Sequence, residues 1–370
     1  MPRTVKKNKA PYPDPDPVSV RRRLLAWYDA QGRDLPWRYK NGERPDPYRV
    51  WLSEIMLAQT TVATVKGYFE EFLRRWPKLA DLAAADQNDV LHAWQGLGYY
   101  ARARNLHKCA RVLVAKKNGC FPDTEEDLRQ LPGVGDYTAA AIAAIAFGRK
   151  STPVDANIER VTARLFAIDV PLPGAQGGIK GVIKEQARTL TPAPRGRPGD
   201  FAQAMMDLGA TLCSPNNPDC PACPLKSACL AEKTGAAERY PVKPAKKPRP
   251  VRHGMVFWAV RGDGAVLLRQ RPEKGLLGGM MEIPSTQWRG KAWTAKEAAA
   301  SAPVQGDWRT LDGVIRHTFT HFHLELTVLV GAVNGQETEN GLWSPPSEFS
   351  DHALPTVMKK IARLVASYSS

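Results

Sequence analysis

Two carboxyl groups in unlike surroundings are the residues of this sequence best suited to acid–base chemistry. Glu54 lies in a helical pattern, and its neighbours on the same helical face are all apolar: Val50, Trp51, Leu57 and Ala58. Such surroundings raise the pKa of a carboxyl group and suit it to donate a proton near neutral pH. Asp155 supplies a second carboxylate. Two carboxyl groups that differ in this way are what the hydrolysis of a glycosidic bond requires.

Each carboxylate also has an interpretation without chemistry. Glu54 could pair at the edge of a core with an arginine such as Arg49 or Arg38. Asp155 could cap a helix predicted over Ala156–Leu165, because aspartate is a preferred N-cap residue. The two roles of Asp155 are compatible with each other, so both stay open.

Four of the six cysteines lie close together with the spacing C-x6-C-x2-C-x5-C: Cys213, Cys220, Cys223 and Cys229. In a chain without a secretory signal, four thiols so close together indicate a metal site rather than disulfides. The C-x2-C pair alone would favour zinc. Cys109 and Cys120 are predicted to be core or surface residues and not ligands.

A glycine-containing turn within residues 131–142 is a candidate for contact with a phosphate. Pro132, Gly133 and Gly135 end one helix, and an alanine-rich helix is predicted to follow over residues 137–147. Such a hairpin presents backbone N–H groups to an anion. An ordinary corner between two helices has the same local pattern, so the motif alone does not decide.

Residues 96–104, called the wedge loop below, combine glycines with two tyrosines, Tyr99 and Tyr100, and two arginines, Arg102 and Arg104. A loop of this kind can insert a ring between bases while its guanidinium groups contact phosphates. Equally, both rings could fill the core while both arginines are solvated.

The charge of the chain favours a polyanionic partner. Its 370 residues carry a formal net charge of +15. No apolar stretch approaches the length of a membrane span, and the N-terminus lacks a signal-like apolar core. An intracellular protein, cytoplasmic or associated with the nucleoid, is therefore predicted. Charge alone would leave nucleic acid only favoured over an anionic membrane.

Changes of composition along the chain predict a multidomain protein. Residues 1–17 are predicted to be a basic, proline-rich disordered tail. Residues 18–240 are predicted to be all-α, with one long amphipathic helix from Tyr48 toward Trp76. A linker rich in proline and lysine follows at 241–252. Residues 253–370 are predicted to form an α+β domain, with strands at 255–260, 265–269 and 324–330 and a helix near 292–302.

Together these motifs resemble the MutY-type adenine DNA glycosylases of the endonuclease III, or helix–hairpin–helix, superfamily. The resemblance covers almost the whole chain and rests on the cysteine loop and on segments at 51–57, 59–60, 96–104, 131–142, 154–157, 201–209 and 316–323. It implies an all-α glycosylase domain, a [4Fe–4S] cluster held by the four cysteines at 213–229, and a Nudix-like C-terminal domain. The acidic metal-binding box of working Nudix hydrolases does not follow residues 275–284, so their hydrolytic chemistry is not expected.

The resemblance also implies a reaction. After base flipping, adenine mispaired with 8-oxoguanine, and more weakly with guanine, would be released by hydrolysis of its N-glycosidic bond. Glu54 would protonate N7 of the adenine, and Asp155 would stabilise or trap the oxocarbenium ion. Tyr137 and Asn157 would hold Asp155 and the sugar in place. Bifunctional relatives carry a lysine where this chain has Tyr137, so little or no strand cleavage is expected.

The other residues to which the resemblance assigns a role contact DNA. Arg38 and Gln203 are expected to contact the adenine, and Gln59 and Tyr99 to insert around the oxidised guanine. Gly133 and Gly135 lie in the hairpin. The residues expected to read the 8-oxo position form the lesion loop, which consists of Phe319, Thr320 and His321. Two positions depart from the family pattern, since Ala58 stands where a glutamine is usual and Thr320 where a serine is usual.

Two other functions remain possible from the sequence. A glycosylase for another mismatch, such as thymine opposite guanine, would be expected to end soon after Cys229. A DNA-binding protein on an inactive glycosylase scaffold would be expected to lack Glu54 or Asp155, and both are present. The favoured prediction is a monomeric, monofunctional enzyme of the MutY type that binds double-stranded DNA with adenine opposite 8-oxoguanine, and contacts with other repair proteins stay open.

Overall fold

The structure is a computed structural model, and it describes residues 12–39, 43–169, 178–242, 248–272, 275–334 and 341–368. The α-helices of these residues are α1 (Pro17–Gln31), α2 (Pro47–Leu57), α3 (Val62–Arg75), α4 (Leu79–Ala84), α5 (Gln87–Ala93), α6 (Ala101–Lys117), α7 (Glu125–Leu128), α8 (Asp136–Ile145), α9 (Ala156–Leu165), α10 (Gly178–Leu190), α11 (Pro198–Thr211), α12 (Leu230–Lys233), α13 (Ala295–Ala299) and α14 (Thr356–Ala366). The strands are β1 (Val251–Val260), β2 (Val266–Gln270), β3 (Met281–Glu282), β4 (Asp307–Thr310), β5 (Ile315–Thr318), β6 (His323–Ala332) and β7 (Gly341–Ser344). Every strand found in these residues begins at Val251 or later, which confirms the all-α prediction for the described residues before it.

The chain divides into two compact units. The N-terminal unit comprises Met1–Ala83 and Lys108–Ala245, and the C-terminal unit comprises Ala84–His107 and Lys246–Ser370. Residues 84–107, which the sequence placed in the all-α region, thus pack with the last third of the chain. The predicted tail and linker lie partly outside the described residues, at 1–11 and 243–247. Strand β1 already begins at Val251, so it includes the last two residues predicted to be linker.

The prediction of one long helix from Tyr48 toward Trp76 was wrong, because two helices, α2 and α3, form there and are separated by residues 58–61. Thr61 caps α3 by accepting a hydrogen bond from the amide of Thr64 at 3.4 Å. Gln59 adopts a φ of 72°, which no helix tolerates. The amphipathic period continues through both helices, so periodicity alone could not show the break.

The core of the N-terminal unit forms where α1, α9 and α11 pack together. Val20, Leu24, Leu165, Phe201 and Leu208 are all buried within one cluster. Removing such side chains from water supplies the main stabilisation of helix packing. None of the helices in the described parts of the chain is long and apolar enough to cross a membrane.

The C-terminal unit is built on a mixed sheet with the order β3-β2-β1-β6-β4, in which β5 also pairs with β6 and β7 with β2. Strands β1 and β6 run parallel over their full length, from Val251 opposite His323 to Val260 opposite Ala332. Helix α14 adds Met358 and Ile361 to the apolar cluster of the sheet. The prediction of an α+β domain is therefore confirmed, although α14 and strands β3, β4, β5 and β7 were not predicted.

Candidate active site

A cavity of about 560 Å³ in the N-terminal unit brings together seven of the residues predicted to act on the DNA substrate. They are contributed by several separate helices and loops: Arg38, Glu54, Gln59, Tyr137, Asp155, Asn157 and Gln203. A cavity of this size admits a group as large as a purine base. The structure thus gathers seven of the predicted site residues around one space.

Glu54 lies on α2 with only 6% of its surface exposed. Burial raises the pKa of its carboxyl group from 4.5 to about 7, because the ionised form loses its hydration. The Tyr137 hydroxyl donates a hydrogen bond to Oε2 of Glu54 at 3.0 Å and partly offsets that effect. The charge of Arg38 also lowers the pKa of Glu54, while the carboxylate of Asp155 raises it. The alternative of a Glu54–arginine ion pair is wrong for the described residues, where the hydrogen-bond partner of Glu54 is Tyr137.

Asp155 is the N-cap of α9. Its Oδ1 accepts a hydrogen bond from the amide of Ile158 at 2.7 Å, and its Oδ2 accepts one from Nδ2 of Asn157 at 2.8 Å. The cap interpretation of the sequence is therefore confirmed. Asp155 also lines the cavity, so two hydrogen bonds hold its carboxylate in place at the cavity wall.

Asn157 connects Asp155 to the residues before the cysteine loop. Its Oδ1 accepts a hydrogen bond from Nη2 of Arg160 at 2.9 Å, and the same guanidinium donates to the carbonyls of Gly209 at 2.5 Å and Cys213 at 2.8 Å. Gly209 permits this arrangement, since a Cβ there would lie 2.6 Å from Cβ of Asn157. Arg160 was not predicted from the sequence, because its helical neighbours include Asn157 and Arg164 and give no sign that it is buried.

Asp207 is a second buried residue of this site that the sequence did not predict. It is fully buried on α11 and accepts hydrogen bonds from Nη2 of Arg38 at 3.1 Å and from two nitrogens of Arg33 at 2.6 and 2.8 Å. Arg38 also donates to the hydroxyl of Tyr28 at 2.9 Å. The hydrogen bonds to Tyr28 and Asp207 therefore fix the orientation of the Arg38 side chain, which lines the cavity. An aspartate between methionine and leucine in a helix was the available signal.

Gln59 lines the cavity at the break between α2 and α3. Its φ of 72° is a conformation that glutamine rarely adopts, and strained residues of this kind concentrate at functional sites. The break that was not predicted is thus what places Gln59 at the cavity instead of on a continuous helix.

The hairpin between α7 and α8 has the form that the sequence predicted. The carbonyl of Leu131 accepts a hydrogen bond from the amide of Val134 at 3.1 Å, and Gly133 has a φ of 75° that favours glycine. Helix α8 begins after Gly135, which provides no side-chain cap. The first amides of α8 are therefore left for an anion or water.

The four predicted cysteine ligands line one cavity of the N-terminal unit. Their side chains are half-buried, and Nη1 of the buried Arg164 donates a hydrogen bond to Sγ of Cys213 at 3.3 Å. A cationic donor beside sulfur suits an anionic metal–thiolate group. Within the described residues, no group of three or more metal-ligating side chains has the geometry of an assembled metal site.

The wedge loop and the lesion loop belong to the C-terminal unit. Tyr99 is 48% exposed with a φ of 49°, whereas Tyr100 is only 6% exposed, so only Tyr100 fills the core and insertion of Tyr99 into DNA stays a prediction. The hydroxyls of Tyr99 and Thr320 are hydrogen-bonded to each other. Arg102 does not point to solvent, since its guanidinium lies over Trp94 and donates to the carbonyl of Leu97 at 3.1 Å.

Within the lesion loop, the three residues differ in their surroundings. Phe319 is partly buried and stacks on Trp288, with ring centroids 5.7 Å apart, and also contacts Phe322 at 4.9 Å. Thr320 and His321 are exposed. Phe319 therefore anchors the loop in this structure, and its two neighbours present polar groups outward.

The family to which the chain belongs follows from comparison with known proteins. A family model described as "HhH-GPD superfamily base excision DNA repair protein" matches residues 52–174, and one described as "NUDIX domain" matches residues 255–364. The adenine DNA glycosylase of Homo sapiens is 35% identical over 408 aligned residues, which cover 94% of this chain and 74% of the human protein. The chain belongs to the adenine DNA glycosylase family.

Other members of the family and a related structure agree with this assignment. The adenine DNA glycosylase of Buchnera aphidicola subsp. Baizongia pistaciae is 40% identical over 254 residues, covering 68% of this chain and 70% of that protein. A solved structure of a thermostable thymine-DNA glycosylase is 30% identical and covers 59% of this chain and 97% of that chain, with a TM-score of 0.51. As a family member, the chain is a DNA N-glycosylase of base excision repair.

Proposed function

We propose that this enzyme removes adenine mispaired with 8-oxoguanine, and more slowly with guanine, from double-stranded DNA. The observation that carries the proposal is the pair of carboxyl groups in one cavity, Glu54 buried with a pKa near 7 and Asp155 held by two hydrogen bonds. The names of the relatives support adenine as the base. The place of action is then chromosomal DNA inside the cell, and the enzyme acts as a monomer.

Glu54 serves as the general acid. With a pKa of about 7, a large fraction of its carboxyl groups carries a proton at neutral pH. Transfer of that proton to N7 of the extruded adenine turns the base into a better leaving group. The Arg38 and Gln203 side chains, which line the same cavity, orient the base so that N7 faces Glu54.

Asp155 serves the sugar side of the reaction. Its carboxylate stabilises the oxocarbenium ion that forms as the glycosidic bond breaks, or adds to that ion before water completes the hydrolysis. The hydrogen bonds from the Ile158 amide and from Asn157 fix the orientation of the carboxylate before the substrate arrives. Such preorganisation avoids reorientation of the carboxylate during the reaction.

Tyr137 makes the enzyme monofunctional. Burial raises the pKa of its hydroxyl well above 10, so the group stays neutral and donates its hydrogen bond to Glu54. A Schiff base with the opened sugar requires an amine, which Tyr137 does not have. Strand cleavage by this route is therefore not expected.

The remaining predicted residues recognise the DNA. Gln59 and Tyr99 insert around the oxidised guanine, and both have the positive φ that projects a side chain from a tight turn. Thr320 and His321 offer polar groups to the 8-oxo position, and Phe319 holds them in place. Gly133 and Gly135 bring the uncapped start of α8 close to a phosphate.

A [4Fe–4S] cluster held by Cys213, Cys220, Cys223 and Cys229 is part of the same proposal. Sulfur donors around one cavity, with a buried arginine that donates to one of them, fit this group. Bound there, the cluster would cross-link the loop through iron–sulfur bonds and carry an electron-transfer centre, whereas base excision itself needs no redox step. Iron and acid-labile sulfide in anaerobically purified protein, lost on Cys223→Ser, are expected. One equivalent of zinc without iron would show that the group is wrong.

Single-turnover excision on a panel of duplexes tests the reaction and the substrate together. Adenine, thymine, guanine or cytosine is placed opposite 8-oxoguanine or guanine, and release of the base is followed with and without alkaline strand cleavage. We expect adenine opposite 8-oxoguanine to react fastest. Faster removal of thymine opposite guanine would replace the proposed substrate.

Two substitutions test the roles of the carboxyl groups in the same assay. Glu54→Gln and Asp155→Asn are expected to slow excision by roughly 10²- to 10⁴-fold while duplex binding is kept. Glu70→Gln, at an exposed glutamate of α3, is the matched control and should leave the rate unchanged. Excision by Glu54→Gln or Asp155→Asn within a few-fold of wild type would remove that residue from the mechanism.

A further inference from the structure

Residues 84–107 are held by the C-terminal third of the chain through side chains that the proposed chemistry does not use. This segment belongs to the same compact unit as residues 246–370. His92 contacts the carbonyl of Ser350 at 3.2 Å, and Arg104 donates a hydrogen bond to the carbonyl of Gly278. One of these contacts is thus made just before the wedge loop, by His92, and the other by the last residue of the loop, Arg104.

Gln95 makes the most specific of these contacts. Its Nε2 donates a hydrogen bond to the carbonyl of His352 at 2.8 Å, and its Oε1 accepts one from Nζ of Lys359 at 3.0 Å. Both ends of the amide are thus bound by groups more than 250 residues away in the sequence. Gln95 and Lys359 are half-buried, and the donor is charged, so this contact is stronger than an exposed pair.

A stiff connection leads from Gln95 to Tyr99. Nε1 of Trp94 donates to the carbonyl of Gly98 at 3.0 Å, and the amide of Gly96 donates to the hydroxyl of Tyr100 at 3.3 Å. Trp94 and Tyr100 are both buried. These two hydrogen bonds join the residues on either side of Tyr99 to the residues on either side of Gln95. The segment between Gln95 and Tyr99 is therefore stiff, and a displacement of Gln95 also displaces Tyr99.

We propose that Gln95 is a positioning residue for base extrusion: Lys359 and the His352 carbonyl hold it, and it in turn holds Tyr99 in the orientation that enters the duplex. The inference rests on the insertion role of Tyr99 in the proposed function. It gives the C-terminal unit a second role besides the recognition of 8-oxoguanine. The unit also positions Tyr99, and this positioning matters for every adenine mispair, whether or not it contains 8-oxoguanine. Since base extrusion depends on filling the space that the base leaves, a misplaced Tyr99 slows extrusion opposite either guanine.

Four variants of the full-length protein separate this role from a merely structural one. Gln95→Ala removes both bonds, and Lys359→Met removes the charged donor while keeping an unbranched apolar stem. Lys359→Arg keeps a cationic donor. Arg363→Met removes a positive charge from an exposed position of the same helix and is the matched control.

The measurements are single-turnover excision of adenine opposite 8-oxoguanine and opposite guanine, and the rise of 2-aminopurine fluorescence when that probe stands next to the target adenine. Gln95→Ala and Lys359→Met are expected to slow both excision and the fluorescence rise about tenfold on both duplexes, the effect of losing one charge-assisted hydrogen bond. Lys359→Arg should recover most of the rate, and Arg363→Met should match the wild type.

Three results would overturn the inference. The first is a rate within twofold of wild type for Gln95→Ala and Lys359→Met on both duplexes. The second is a loss confined to adenine opposite 8-oxoguanine, which would assign the contact to lesion reading alone. The third is a lower melting temperature with an unchanged fluorescence rise. An inactive wild-type protein on both duplexes would instead refute the proposed function, so the two failures are distinguishable.

Discussion

The Tyr137 hydroxyl lies 3.0 Å from Oε2 of Glu54 and donates a hydrogen bond to it, so the partly buried tyrosine is a direct partner of the buried carboxyl group. Burial alone would push the pKa of Glu54 further up than about 7, and the bond from Tyr137 opposes that rise. Tyr137 therefore helps to set the pH range in which Glu54 can give up its proton and take it back.

Replacing Tyr137 with phenylalanine tests this relationship. The loss of the hydrogen bond should raise the pKa of Glu54 above 7, so that the carboxyl group stays protonated to a higher pH. The alkaline limb of the pH–rate profile for single-turnover excision should then move up by about one pH unit. An alkaline limb that stays where it is in the wild type would show that another group limits the rate there.

The raised pKa of Glu54 also predicts how stability depends on pH. The folded protein binds this proton more tightly than the unfolded chain, so the contribution of Glu54 to stability is complete below pH 4.5 and is lost as the pH rises through about 7. A pKa raised from 4.5 to about 7 corresponds to roughly 3 kcal/mol. Glu54→Gln stays neutral and should gain up to that amount over the wild type between pH 5 and pH 8.

Urea unfolding at both pH values measures the free energy of unfolding of each protein. Glu70→Gln on α3 is the control for the removal of one carboxyl group at an exposed position. The same difference between Glu54→Gln and wild type at pH 5 and pH 8 would contradict the prediction.

Gly209→Ala should loosen Asp155 through Asn157. A Cβ at residue 209 would lie 2.6 Å from Cβ of Asn157, so Asn157 must move and its hydrogen bond to Asp155 must lengthen. We expect the free energy of unfolding to fall by about 1–3 kcal/mol and single-turnover excision to slow. Gly67→Ala in α3 is the matched control, since a Cβ there meets open space and should stabilise the helix by up to about 1 kcal/mol. Two glycines that respond alike would refute the steric argument.

Asp207→Asn should release Arg38. The substitution removes the buried charge that Arg33 and Arg38 share, and breaking a buried pair of this kind costs roughly 3 kcal/mol. Excision should slow more than duplex binding weakens, because the proposed role of Arg38 is to orient the extruded base. Asp200→Asn, on the same helix in a more exposed pair with Arg197, should cost less than about 1 kcal/mol. Wild-type excision by a folded Asp207→Asn protein would remove Arg38 from base recognition.

Thr320→Val tests the lesion loop. The hydroxyl that bonds Tyr99 is lost while the shape of the side chain is kept. If Thr320 reads the 8-oxo position, the preference for 8-oxoguanine over guanine should fall by about tenfold, which corresponds to one lost base contact. Thr310→Val, on an exposed position of β4, is the control. A slower rate on both duplexes with the preference intact would mean that Thr320 only supports Tyr99.

The two carboxyl groups to which the proposed chemistry is assigned stand out in the sequence because their local surroundings differ from the average. Glu54 stands among apolar residues on a helix, and Asp155 precedes a helix it can cap, and both features survive in the fold. Their partners could not be recognised in the same way. Asp207 and Arg160 act through contacts made across the fold, which the periodicity of a single helix does not report.

The same limit explains the two errors of organisation. The break at residues 58–61 leaves the amphipathic period intact, so the pattern predicted one helix where there are two. The placement of residues 84–107 depends on partners more than 200 residues further along, such as Thr320 for Tyr99. Nothing within a local window indicates such partners, and the choice between Tyr99 and Tyr100 as the exposed ring depends on them.

The membership of residues 84–107 in the C-terminal unit has a consequence for the order in which the enzyme is made. A ribosome delivers this segment early, yet the partners of Gln95 leave the ribosome more than 250 residues later. Pairing over such a sequence distance closes a very large loop and comes late in folding. A nascent or prematurely ended chain would therefore carry both carboxyl groups while Tyr99 is still unanchored, and by the proposed role of Gln95 it would extrude a base more slowly until α14 is complete. Pulse-labelling hydrogen exchange during refolding should show residues 84–107 gaining protection together with α14, and after α9 and α11.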